Sequence, residues 1–226
     1  MKNRSKRYSA SEKNVDKEKV YTLKEAVSVL KGLQQPKFDA SFDLHFKLNV
    51  DPKKSEQMVR GTVVLPHGTG KKIRVAVFCR GEHEKIAKAS GAELVGANEL
   101  IDKVAGGFLD FDCVIATPEM MKDLSKLGKV LGPRGLMPSP KTGTVTNDIA
   151  KAIEDVKKGK VEFRVDKQGG MHLAVGKTSF SEDALYENAS SVIHAITEAR
   201  PATVKGKFVE SLFVSSSMNP GLKVEI

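Results

Sequence analysis

Two apolar segments of this chain obey different rules. In Ser41–Val50, Phe42, Leu44, Phe46, Leu48 and Val50 alternate with Ser41, Asp43, His45, Lys47 and Asn49. That period of two is the signature of a strand with one buried and one wet face. In Ile73–Cys79 the apolar run is almost unbroken, as in a strand covered on both sides. The first pattern calls for an antiparallel sheet open to water, the second for a parallel sheet between helices. With 226 residues, the chain can build one large or two modest domains.

The flanking segments sort into the same two classes. After Ile73–Cys79 come a short helix at Glu82–Ser90, a strand at Glu93–Val95 and a helix at Glu99–Ala105 capped by Asn98. A strand at Cys113–Ala116 follows, then a helix opened by Thr117-Pro118, with Met121, Leu124 and Leu127 on its apolar face. This β-α-β-α-β-α order predicts a small parallel, Rossmann-like sheet with covering helices. Leu131–Val145 (LGPRGLMPSPKTGTV) has neither period, and its Gly and Pro residues mark an ordered loop. Thr146 or Asn147 then caps a helix at Ile149–Lys157.

Outside this block, Thr22 and Glu25 form a capping box for a helix striped by Leu23, Ala26, Val27, Leu30 and Leu33. A short strand follows at Thr62–Leu65. Near the other end, Val161–Val165 and Met171–Val175 predict a hairpin turned by Gln168-Gly169-Gly170. Ser181 caps a helix at Glu182–Ala199, and Phe208–Val214 is the last long strand, broken by Pro220-Gly221. The predicted fold class is α/β with two domains. A discontinuous α+β domain, residues 1–66 and 159–226, carries an antiparallel sheet built from both chain ends, and an α/β domain, residues 67–158, is inserted into it. The crossings hold Pro66, Gly68, Gly70 and Gly159, which favour hinge motion.

Lys and Arg number 37 against 28 Asp and Glu, a net charge of +9 that favours a polyanionic partner. No apolar run reaches the roughly 18 residues of a membrane span. The basic N-terminus lacks the apolar segment of a secretory signal. Met1–Lys19 reads either as a solvated terminus or as a basic arm or helix near phosphate. Cys79 and Cys113 sit in apolar runs, as buried thiols of a reducing cytosol would.

Catalytic signatures fail one by one. Gly68-Thr69-Gly70-Lys71 has Leu65 where a phosphate-binding loop needs Gly, and Lys72 where it needs Ser or Thr. His83-Glu84 is followed by Ala87, not by the second His of a zinc protease. The turn Arg80-Gly81-Glu82-His83 is no dinucleotide fingerprint. No catalytic residue, metal or cofactor is assigned. The competing reading is a nucleotide-dependent enzyme using the inserted domain.

The positive reading is RNA. His45 and Lys47 lie on the wet face of the first strand, and Lys37-Phe38 lead into it, where a cation and an aromatic can reach phosphate and base. Phe38 packing at the strand mouth is the alternative. Arg164 and Lys167 beside the predicted hairpin, Ser211, and the Ser215–Met218 turn complete the candidates.

Four stretches carry a resemblance. Leu131–Val145, Arg60–Lys71 (RGTVVLPHGTGK), Lys37–Lys54 (KFDASFDLHFKLNVDPKK) and Ser215–Pro220 (SSSMNP) occur in order along the chain. They resemble the motifs of the L-one family of large-subunit ribosomal proteins. The resemblance implies a non-enzymatic cytoplasmic protein, monomeric when free, whose split domain binds large-subunit ribosomal RNA at the L-one stalk. It also implies help in releasing tRNA from the exit site, and repression of its own messenger RNA. Positions matching the family's RNA contacts are Lys37, Phe38, Ser41, Lys167, Ser211, Ser217 and Met218. Two positions depart from that pattern. Asn219 stands where the family usually has Gly, and is expected to keep the turn because Asn tolerates left-handed backbone. Ser217 stands where Thr is common.

Overall fold

The computed structural model describes residues 4–16 and 18–226. Met1–Asn3 and Lys17, part of the predicted basic arm, lie outside the described residues. The chain divides into two compact units, residues 1–70 with 161–226, and residues 71–160.

In chain order the elements are helices α1 (Lys6–Lys13) and α2 (Leu23–Gly32), strands β1 (Ser41–Leu48), β2 (Arg60–Val64) and β3 (Val75–Phe78), helix α3 (Glu82–Ala89), strand β4 (Leu94–Gly96), helix α4 (Asn98–Ala105), and strand β5 (Cys113–Ala116). Short helices α5 (Met121–Leu124) and α6 (Gly128–Leu131) precede α7 (Ile149–Lys158). Strands β6 (Lys160–Arg164) and β7 (Gly170–Lys177), helix α8 (Glu182–Glu198) and strands β8 (Val209–Ser216) and β9 (Leu222–Val224) complete the chain.

In the split unit β1 is a central strand of an antiparallel sheet ordered β7-β1-β8-β9. The alternation read from β1 sends Phe42, Leu44, Phe46 and Leu48 into one core. There they join Met171, Leu173 and Val175 of β7 and Leu212 and Val214 of β8. The stripes Ala26, Val27 and Leu30 of α2, and Leu185, Ala189, Val192 and Ile196 of α8, enter the same core. The capping box of α2 forms as read, Thr22 accepting from the Glu25 amide while Glu25 accepts from that of Thr22. Asn188 of α8 is fully buried. Its Oδ1 accepts from the His67 amide at 3.0 Å, and its Nδ2 donates to the carbonyls of Gly68 (3.0 Å) and Val175 (2.8 Å).

The predicted hairpin does not form as a ladder. The turn closes, Asp166 Oδ1 accepting from the amides of Gln168 and Gly170. The strands then part: β6 pairs with β2 in a separate two-stranded sheet, continued by Val165 donating to Val59, while β7 pairs with β1. Strand β9, past the Pro220-Gly221 break, was not expected from the sequence.

Residues 71–160 hold a parallel sheet ordered β4-β3-β5. All four residues of β3 are buried, and successive ones enter different clusters. Ala76 and Phe78 pack with Leu100, Val104, Met120, Leu124 and Leu131. Val75 and Val77 pack with Ala87, Ile115, Ile149 and Ile153. The helix expected from Thr117-Pro118 is broken into alternating 3-10 and α segments through Leu131. Two caps differ from expectation. Asp148, not Thr146 or Asn147, accepts from the Lys151 amide at the start of α7. Asn98 is the first residue of α4 and accepts from Arg80 instead of capping. The Leu131–Val145 loop is ordered, with Thr144 Oγ1 accepting from the Ser139 amide at 2.8 Å. It ends in a parallel bridge of Val145 to Ala116, extending the sheet beside β5. Cys79 is buried and Cys113 partly buried.

Candidate nucleic-acid interface

The face of the four-stranded sheet opposite its core is open to solvent, and its composition follows from strand pairing. His45 lies opposite His172 on β7 and Phe213 on β8, and Phe213 lies opposite Lys223 on β9. These four make a row across the sheet. On one side Asp43 faces Ala174 and Ser215, and on the other Lys47 faces Gly170 and Ser211. The surface is therefore mixed: two imidazoles, two ammonium groups, hydroxyls and an exposed phenyl ring.

Its centre is a hydrogen-bonded chain. His45 Nδ1 and His172 Nδ1 are 3.0 Å apart, and His45 Nε2 is 2.9 Å from Ser215 Oγ. One Nδ1 must donate and the other accept, so charging both rings would set two N–H groups against each other. Partial burial, and then the nearby His172, push the His45 pKa below its ordinary value, while Asp43 opposes. Burial raises the Asp43 carboxyl pKa, against the pull of His45 and Lys177.

At one end, β1 and β8 run into a tight junction. The Ser217 amide donates to the Ser41 carbonyl at 3.0 Å, and the Ser41 amide donates to Ser217 Oγ at 3.2 Å. Lys177 Nζ donates to Ser41 Oγ at 2.9 Å. Exposed Phe38 (53%) precedes Ser41 in the chain, and exposed Met218 (65%) follows Ser217. Lys37 is exposed beside Phe38. At the other end, Lys47 Nζ donates to the Gln168 carbonyl in the turn that carries exposed Lys167.

The predicted residues thus fall into two sets. Ser41 and Ser217 meet at the junction, Met218 follows Ser217, and Lys37 and Phe38 lie in the exposed segment leading into β1. His45 and Ser211 lie on the open face, and Lys167 at its far end. Arg164 is exposed but belongs to β6, on the two-stranded sheet. The expectation for Asn219 needs correction. The left-handed residue is Met218 (φ 68°), and Asn219 is a buried residue whose side chain bonds its surroundings. Phe213, His172 and Lys177 were missed. Phe213 has the same parity as Ser211 and Ser215, a signal present in the sequence. His172 shares the β7 parity of Ala174, but its place beside His45 depends on register.

The inserted sheet offers a contrasting surface. Open α/β sheets bind ligands in the crevice beyond the carboxyl ends of their strands. Here the turn after β3 projects Arg80, whose Nη2 donates to Asn98 Oδ1 and Asp123 Oδ2, each at 3.1 Å. Among the described residues no three His, Cys, Asp or Glu side chains group as a metal site, and no helix is long and apolar enough to cross a membrane.

The Ribosomal protein L1p/L10e family profile matches residues 29–220, spanning both units. The chain belongs to this family of ribosomal proteins. It is 56% identical over 227 residues to the large ribosomal subunit protein uL1 of Fervidobacterium nodosum, covering all of this chain and 97% of that protein. It is 51% identical to the protein of the same name from Bifidobacterium longum subsp. infantis, over all of this chain and 98% of that one. A third uL1, from Kosmotoga olearia, is 49% identical over all of this chain and 97% of its own length. Membership replaces the enzyme reading of the inserted domain.

Proposed function

We propose that the chain is a structural component of the large ribosomal subunit, in the cytoplasm, that binds large-subunit ribosomal RNA through its split unit. The observation that carries this reading is the Ser41–Ser217 junction. It joins β1, which exposed Phe38 leads into, to the turn that carries exposed Met218, with Lys177 and two serine hydroxyls at the joint. That mixture suits folded RNA, whose splayed bases stack on aromatic side chains and whose 2′-hydroxyls and phosphates take polar contacts. The reading includes Lys37, Phe38, Ser41, His45, Arg164, Lys167, Ser211, Ser217 and Met218, and adds Phe213.

The same reading extends to tRNA release from the exit site and to repression of the chain's own messenger RNA. The crossings near Pro66, Gly68, Gly70 and Gly159 serve as hinges, with all three glycines at positive φ.

The test is RNA affinity at fixed salt. Met218→Gly removes the thioether while allowing the left-handed backbone, and Phe38→Ala removes the ring. Together they should weaken binding to a large-subunit ribosomal RNA junction fragment by about two orders of magnitude, at roughly 1–3 kcal/mol per lost stacking contact. Unchanged affinity would remove the junction from the site.

A further inference from the structure

Beside the exposed Met218 sits Asn219, only 9% exposed, with its amide fully used. Asn219 Nδ2 donates to Ser216 Oγ (2.9 Å) and Gln35 Oε1 (3.2 Å), and its Oδ1 accepts from Arg7 Nη1 (2.9 Å). Arg7 comes from the other end of the chain, in the first turn of α1, whose N-terminus Ser5 caps. The same Nη1 donates to the Gln34 carbonyl (2.9 Å), and Nη2 donates to the carbonyl of Met218 itself (2.8 Å). Arg7 therefore grips the one described non-glycine residue with positive φ through its own carbonyl.

The guanidinium is held entirely by neutral oxygens. Among the described residues no carboxylate pairs with it. Of its five N–H donors three are engaged by described residues, leaving Nε–H and one Nη2–H without a described partner. A cation fixed by neutral acceptors keeps its whole charge, and a planar fork with spare donors matches phosphate oxygens.

We propose that Arg7 is a phosphate-binding and positioning residue of the RNA site, locked in place by Asn219. This rests on the RNA-binding reading above. In it α1 belongs to the interface: Arg7 holds the turn that presents Met218 and offers its remaining donors to the phosphate of a nucleotide docked there. Asn219 acts through Arg7 and the turn, not on RNA directly.

The test measures full-length chain binding to a large-subunit ribosomal RNA junction fragment across a salt series, with melting curves for each variant. Arg7→Gln should weaken binding about tenfold at moderate salt and lower the slope of log affinity against log salt by about one, the loss of one phosphate contact. Asn219→Ala should weaken binding several-fold with the slope unchanged, since Arg7 keeps its charge. Arg7→Lys, which keeps a charge but not the fork, should keep the slope and lose affinity. An Arg7→Gln slope equal to that of the parent, while Phe38→Ala and Met218→Gly still weaken binding, would overturn the phosphate role and leave the RNA reading standing. Equal binding by all of these variants would overturn both.

Discussion

The three-stranded parallel sheet and the four-stranded antiparallel sheet of this molecule use similar residues to opposite ends. In the parallel sheet β3 is buried on both faces, and its side chains serve packing alone. In the antiparallel sheet β1 spends every second residue on packing and presents the others, Ser41, Asp43, His45 and Lys47, outward. A sheet covered on both faces is stiff but has little to offer a partner except at its ends, and Arg80 bridges Asn98 and Asp123 beyond β3. A sheet covered on one face can give the other to RNA.

The contrast is sharpest in paired phenylalanines. Phe78→Ala, in the parallel sheet, should cost about 3–5 kcal/mol and unfold residues 71–160 at much lower urea. Phe213→Ala, on the open face, should change stability by no more than about 0.5 kcal/mol while weakening RNA binding. Comparable urea midpoints for the two variants would break the distinction. Asn188→Ala comes next: it strands the His67 amide and the carbonyls of Gly68 and Val175, and should cost about 2–3 kcal/mol in urea unfolding.

Acid should act differently on the two units. In residues 71–160 Asp112 accepts from Lys71 Nζ and from the amide and side chain of Arg74, and Lys71 foremost holds its pKa down to about 2, from 3.8. The folded pKa is the lower one, so its contribution is present above pH 3.8 and is lost as pH falls through about 2. Asp112→Asn should remove roughly 1 kcal/mol at neutral pH, a modest amount because Lys71 is exposed. In the split unit His45 also has a lowered folded pKa, so stability should decline as pH drops below 6.5, where the unfolded chain takes up the proton first. Asp43, with a raised folded pKa, works in the opposite sense at lower pH, above 3.8. His45→Gln should flatten the dependence between pH 5 and 7 by less than about 1 kcal/mol, read from urea midpoints. A parent chain with no slope there would remove this smallest difference.

Much of this was legible because periodicity speaks directly about burial. The alternation of β1, the continuous β3 and the capping box of α2 each predicted their surroundings. What failed depended on long-range pairing. The Gln168–Gly170 turn looked like a hairpin, yet the partners of β6 and β7 are strands about a hundred residues or more earlier, which no local signal names. Strand β9 is three residues long, too short for a pattern. Thr146, Asn147 and Asp148 are all capping types, and only the helix axis selects the third. Asn188 in mid-helix and the Arg7–Asn219 contact, 212 residues apart, leave no local trace at all.

Strand order also sets a timetable. Strand β1 is flanked by β7 and β8, both from the far end of the chain. A ribosome making this protein releases β1 early and its neighbours late, on the order of ten seconds or more later at typical elongation rates. Residues 71–160 are contiguous and emerge whole in between. The open face proposed for RNA therefore comes into being last, so on that proposal an unfinished chain cannot compete with finished copies for the same site.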